Sequence, residues 1–223
     1  MSDQDEPPVS IGLDDAFAMQ TPDDSIRLYR DWAATYDGEF LPSSGYVQHE
    51  RVAAHFIDVV DRADGPVLDV GCGTGLVGQA IATAGTWAID GVDISPEMLT
   101  KAADKRNAAG EPVFGALYEA DLTDSLPFAD DVYGSIVSAG VFTTGHVGPD
   151  ALRELARVVR PGGPLVIAVN TRFYEAAGFG DALAQMASAR VLERLETRVI
   201  EIYTNPEHKH GADTAQVLVL RAI

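Results

Sequence analysis

Cysteine is almost absent: Cys72 is the sole one in 223 residues. No disulfide framework can hold the chain together, and a reducing compartment is the expectation. Positive charge is also scarce, since 16 Lys and Arg against 34 Asp and Glu leave a formal charge of −18 and a pI near 4.4. Such a surface repels phosphate backbones, and the few cations are scattered rather than striped, so no nucleic-acid partner is expected. Uncharged apolar runs never reach ~18 residues, and the opening MSDQDEPPVS lacks both a basic and an apolar leader region. Neither membrane insertion nor secretion is expected, and the cytoplasm is the predicted location. Linkers, internal repeats and low-complexity tracts are missing too. One domain is expected over residues 23–223, behind a disordered or loosely packed segment over 1–22.

Glycine is placed with purpose. Residues 67–93, VLDVGCGTGLVGQAIATAGTWAIDGVD, hold an apolar strand, an acid, three alternating glycines, a helix and a second strand ending in an acid. Gly71, Gly73 and Gly75 let the chain turn sharply and bring bare N–H groups against a ligand. Asp93, about 20 residues on at the tip of the next strand, sits where a carboxylate accepts ribose hydroxyls. Gly73-Thr74-Gly75-Leu76-Val77-Gly78 also fits the dinucleotide pattern G-x-G-x-x-G, so an NAD(P)-dependent oxidoreductase is the rival enzyme reading. Asp69 tells against it: a carboxylate there suits an ammonium group and repels a pyrophosphate. S-adenosylmethionine (SAM) carries an ammonium, a ribose and an adenine, and no phosphate. The Tyr-x-x-x-Lys pair of hydride-transfer enzymes is missing as well.

The chain resembles the class I SAM-dependent methyltransferases over roughly residues 25–222. Val67-Leu68-Asp69-Val70-Gly71-Cys72-Gly73-Thr74-Gly75 looks like their first motif and Gly91-Val92-Asp93-Ile94-Ser95-Pro96-Glu97-Met98-Leu99 like their second. The resemblance implies SAM as cofactor and S-adenosylhomocysteine (SAH) as product. It implies Asp93 on the ribose, Ile94 or Met98 against the adenine, Asp121 accepting the adenine amine, and the Leu122 N–H on the ring. Small residues ending the fourth strand, Ser138 among them, would leave room for the methionine part. Tyr29-Arg30-Asp31-Trp32-Ala33-Ala34-Thr35-Tyr36-Asp37 is similar to a pre-sheet motif of small-molecule methyltransferases, nearest the methyltransferase-like 27 type. There Tyr29 and Tyr36 would cover the cofactor, where an aromatic face can attract a sulfonium. An aromatic stripe at helical spacing is equally the mark of a core face, and core is the expected role of Trp32. Cys72 reads as a small packing residue of the loop.

From Val67 onward strands and helices alternate, as in a doubly wound α/β sheet. Strands are expected at 66–70, 88–93, 113–119, 132–138, 164–169, 197–203 and 214–222. Helices are expected at 75–84, 96–109, 149–160 and 180–195, with two more ahead of the sheet, one starting at Thr21-Pro22 and one over 44–62. The last two strands read as a hairpin, so the final strand should run antiparallel. Seven strands closed by such a hairpin, in a Rossmann-like methyltransferase fold with N-terminal capping helices, is what the resemblance implies.

A methyl transfer from a sulfonium is an in-line displacement that mainly needs alignment and dryness. A base is needed only for a protonated O, N or S acceptor. His146, in the loop after strand four, is the candidate. His208 and His210 sit on the final hairpin without enough companions for a metal site, so no metal is expected. Recognition of a small-molecule acceptor is assigned to the segments least like any shared motif, 21–48, 141–149, 171–183 and 204–213. A SAM-binding protein that regulates or scaffolds without turnover is the reading from another class.

Overall fold

The computed structural model describes residues 12–19, 21–62 and 65–223. Its strands are β1 (Val67–Val70), β2 (Ile89–Asp93), β3 (Leu117–Glu119), β4 (Ser135–Phe142), β5 (Pro164–Asn170), β6 (Leu192–Glu201) and β7 (Thr214–Ala222). They form one sheet in the order β3-β2-β1-β4-β5-β7-β6. β1 to β5 pair in parallel, whereas β7 runs antiparallel to both β5 and β6. This is the Rossmann-like methyltransferase arrangement, with the expected antiparallel last strand. The order reverses at β1, which has β2 on one side and β4 on the other, and a crevice opens beyond the carboxyl ends of strands at such a point.

Successive side chains of a strand face opposite sides, and the core divides accordingly. Val67, Val137, Val166 and Val217 pack in one apolar cluster with Val52, Phe56 and Ile81. Leu68, Ile136, Leu165 and Leu218 pack in another with Leu152, Leu155 and Met186. Burial on both faces explains why these strands read as continuous apolar runs. The first face is covered by α4 (Gln48–Val59) and α5 (Leu76–Thr83), the second by α7 (Ala151–Val158) and α9 (Phe179–Ser188). α6 (Pro96–Ala103) follows β2, and α8 (Thr171–Ala176) follows β5.

Ahead of the sheet lie α1 (Leu13–Phe17), α2 (Pro22–Trp32), a π-helical turn (Tyr36–Phe40) and α3 (Leu41–Ser44). α2 starts as its sequence dictates. The Thr21 hydroxyl oxygen accepts a hydrogen bond from the Asp24 N–H, the Asp24 carboxylate accepts one from the Thr21 N–H, and Pro22 fills the first turn. Residues 1–22 were expected to be disordered or loosely packed. Over 12–19 the chain instead forms α1 and buries Ala16 and Met19 in the first cluster, while residues 1–11 lie outside the described residues.

Several boundaries differ from expectation. The helix expected over 44–62 begins at Gln48, because Gly45 takes a left-handed conformation (φ 67°) that ends α3. The helix expected over 96–109 stops at Ala103, and Asn107 turns the chain by accepting from the Ala109 and Glu111 N–H groups. The helix expected over 180–195 ends at Ser188, and β6 begins at Leu192 rather than at 197. β6 is an edge strand whose residues are mostly exposed, so it carries no apolar alternation to announce it. α8 was not foreseen: Asn170 ends β5 and caps α8 at once by accepting from the Arg172 and Phe173 N–H groups. No helix among the described residues is long and apolar enough to cross a membrane.

Candidate functional site

The crevice beyond β1 and β4 is a cavity of about 280 Å3. Its floor is the glycine loop that carries β1 into α5. Gly71 (φ 62°) has to be glycine twice over, since its backbone is left-handed and an added Cβ would run into Val141 Cγ2. The loop is held in place by Asp93. One carboxylate oxygen accepts from the Gly73 N–H (2.8 Å) and the other from the Ser95 N–H (2.9 Å), and Ser95 in turn caps α6 through the Met98 N–H. Burial raises the Asp93 pKa, against the pull of its hydrogen bonds from Ser95, Gly73 and Ile94. Thr74 Oγ1 donates to Asp37 Oδ1 (2.6 Å), whose other oxygen pairs with Lys105 Nζ (2.6 Å), so the loop is tied to the segment after α2.

The structure brings Tyr29, Tyr36, Gly71, Cys72, Gly73, Thr74, Asp93, Ile94, Met98, Asp121, Leu122 and His146 to the wall of this cavity. Asp121 accepts from the backbone N–H and hydroxyl of Thr123, an Asx turn that presents the loop after β3. Burial pushes the Cys72 thiol well above its ordinary range, which leaves it a neutral wall residue at neutral pH.

Three expected ligand residues stand back from the wall. Asp69 is fully buried and shares the face of Val67; its Oδ2 accepts from the Gly78 N–H in α5 (3.0 Å), and its Oδ1 has no hydrogen-bond partner among the described residues. Burial raises its pKa to about 7. Gly75 opens α5, where a Cβ would meet Phe114 and Ala102. Ser138 donates to the Val70 carbonyl (2.9 Å) and stitches β4 to β1.

Opposite the glycine loop, α2 and the loop after β4 meet. Tyr29 Oη lies 2.7 Å from His146 Nε2, and His146 Nδ1 lies 3.1 Å from the Thr144 carbonyl oxygen. A carbonyl only accepts, so Nδ1 carries the hydrogen, and in the neutral ring Nε2 accepts from the Tyr29 hydroxyl. Burial lowers the His146 pKa and keeps that ring neutral at pH 7. Trp32 is buried, stacked on Tyr29 and edge-on to Tyr36 at 4.9 Å, and does not line this cavity. His55 is buried in α4, 3.7 Å from Glu196, away from the cavity.

Sequence reasoning passed over Tyr46 and His49, which line the cavity with their rings stacked 5.5 Å apart. Tyr46 falls inside the 21–48 stretch assigned to recognition, but no motif marked it. Its place depends on the left-handed Gly45 and on the pairing of Tyr46 with Tyr203 of the final hairpin.

Among the described residues no lysine or arginine lines the cavity, while Asp93 and Asp121 do. A pyrophosphate would meet carboxylates there and no cation; a ribose, an adenine and a cationic sulfonium would meet acceptors, Met98, Leu122 and aromatic faces.

Residues 68–167 match the family model described as "Methyltransferase domain". Phosphatidylethanolamine N-methyltransferase of Cereibacter sphaeroides is 33% identical over 141 residues, which are 63% of this chain and 65% of that protein. Methyltransferase-like protein 27 of Homo sapiens is 30% identical over 153 residues, 66% of this chain and 58% of that protein. The likeness to that type is therefore one of several of similar strength. The chain spans less than two thirds of the length of either relative. Among solved structures, the [4+2]-cyclase SpnF superposes with a TM-score of 0.68 at 18% identity, covering 92% of this chain and 97% of that one, a likeness of fold.

Proposed function

We propose that this chain, which over residues 68–167 carries a methyltransferase domain of the class I SAM-dependent family, transfers a methyl group to an O, N or S atom of a small molecule. SAM is the cofactor that this family implies, and when bound it supplies an activated methyl on a neutral leaving group. Asp93 would accept the ribose hydroxyls with the lone pairs left free by Gly73 and Ser95, and Asp121 with Leu122 would take the adenine. Asp69 serves from behind the wall. It holds the start of α5 through Gly78, and its other oxygen has no partner among the described residues. Tyr29 and Tyr36 close the cavity and exclude water. His146 is the proton acceptor for an acceptor that must lose a proton, with the Tyr29 hydroxyl on its Nε2 as the group through which that proton passes. We place the chain nearest the methyltransferase-like 27 type on the aromatic face of α2.

The observation that carries this reading is a cavity whose glycine loop is pinned by Asp93 and whose walls, among the described residues, hold carboxylates but no lysine or arginine. The test is calorimetry with SAM, SAH, NAD and NADP, repeated on Asp93→Ala. Micromolar binding of SAM and SAH alone, weakened at least tenfold in the variant, supports it. Binding of NAD or NADP in their place, or of none of the four, overturns it.

A further inference from the structure

A second cavity, about 60 Å3, adjoins the first, and Tyr29, Tyr36, Tyr46, Gly140 and His146 line both. Its remaining walls are unusual in chemistry. Trp32, Phe40, Phe142 and Tyr203 add four rings, with Trp32 edge-on to Phe40 at 4.9 Å and Tyr203 at 5.8 Å from Tyr46. Gln48, Asn170 and Thr143 supply neutral polar atoms, and Leu13 and Ala16 of α1 form the outer side. Among the described residues its one carboxylate is Asp213, 8% exposed and just ahead of β7. No lysine or arginine among the described residues lines this cavity either.

We propose that this second cavity is the acceptor's chamber and that the acceptor is a small primary or secondary amine, cationic in solution. The proposal rests on the methyltransferase reading above and names the substrate class of the same site. A carboxylate or phosphate acceptor would have to enter without a counter-charge, past Asp93, Asp121 and Asp213, in a molecule whose formal charge is −18. An ammonium finds the reverse: several aromatic rings, whose faces can attract a cation, and a carboxylate among the lining residues. Asp213 is not free of other charges. Arg172 Nη2 lies 3.2 Å from one oxygen and His210 Nδ1 3.2 Å from the other, and His210 also reaches Asp14, which pairs with Lys209. The Arg172 side chain is 81% exposed, so water screens much of its pull on Asp213. The small volume suits an amino head group rather than a whole ring. Overall, an ammonium R–NH3+ and the sulfonium give R–NH2+–CH3, a neutral thioether and one H+. Tyr29 and His146, on the boundary of the two cavities, are placed to take that proton.

The test uses three molecules of one shape, n-butylamine, n-butanol and butyrate, added to the protein saturated with SAH. The readout is the fluorescence of Trp32, isolated by Trp87→Phe because the chain has two tryptophans. We expect butylamine to bind at least tenfold more tightly than butyrate and several-fold more tightly than butanol. Asp213→Asn should remove most of that preference. Phe40→Leu, which keeps an apolar side chain and leaves Asp213 and its partners alone, should weaken butylamine about threefold or more and leave butanol unchanged. If SAH itself does not bind, the methyltransferase reading falls and this one with it. If SAH binds but butyrate is preferred, or none of the three changes the signal, the amine chamber alone is overturned.

Discussion

Tyr29 Oη and His146 Nε2, 117 residues apart in the chain, lie 2.7 Å from each other and join α2 to the loop after β4. The Thr144 carbonyl fixes the ring's hydrogen on Nδ1, so the lone pair of Nε2 is directed at the hydroxyl. Neither residue belongs to the glycine loop, and their contact turns two unrelated loop and helix positions into one hydrogen-bonded unit.

That unit predicts a pH profile. Burial holds the His146 pKa below 6.5, so turnover should rise with pH along a limb centred under 6.5 and then level off. Tyr29→Phe, which removes the hydroxyl on Nε2, should shift that limb, and His146→Gln should erase it and lower kcat by about 10²-fold or more. SAH binding, measured alongside, should change less than threefold in either variant. An unmoved limb in Tyr29→Phe would show the hydroxyl to be a bystander.

Asp69 predicts a stability that depends on pH. Its pKa is raised from 3.8 in water to about 7 in the folded chain, because full burial disfavours the charge. The folded state therefore holds the proton more tightly than the unfolded one, and stability is lost as pH rises from about 4 through 7. The loss is on the order of 4 kcal/mol if no charge compensates it. Asp69→Asn keeps a carbonyl for the Gly78 N–H and removes the titration. Ligand-free denaturant unfolding at pH 5 and pH 8 should show a smaller difference in the variant than in the parent chain.

Gly71→Ala should unsettle the site and the fold together. A left-handed alanine costs about 1–2 kcal/mol, and the clash with Val141 Cγ2 adds about 1–3 kcal/mol. Tm should fall by roughly 5–15 °C for a chain of this length. Adding Val141→Ala should recover the steric share and leave the backbone share, so a double variant no better than the single would sink this account.

Lys105 anchors the glycine loop only through Asp37 and Thr74. Lys105→Met should weaken SAH binding several-fold while changing stability by about 1 kcal/mol or less, since Asp37 is 36% exposed and the pair is partly screened. Calorimetry and thermal melts on the same sample read the two effects separately.

Short-range chemistry made some of this legible in advance. The strand, glycine turn and helix from Val67 to Thr83 need only local φ/ψ preferences and apolar periodicity, and Asp93 follows from the register of the next strand. β6 escaped because an exposed edge strand such as Leu192–Glu201 carries no buried stripe. Ser138 and Gly75 sit in the right motifs and still miss the cavity wall, one tied to the Val70 carbonyl and the other facing Phe114. Motif membership fixes a residue's position along the chain, whereas side-chain direction depends on which neighbour offers a partner.

The amino-acid sequence by itself determined the alternation of strands and helices, the antiparallel last strand, the glycine loop and its acids, because each is written in residues close along the chain. Tertiary structure alone decided which side of β1 Asp69 faces, that Tyr46 and His49 join the wall, and that Tyr29 meets His146. It alone placed a ring-lined chamber with Asp213 beside the cavity of the glycine loop. Those are contacts between segments up to 200 residues apart, and no local preference of either segment encodes the other's position.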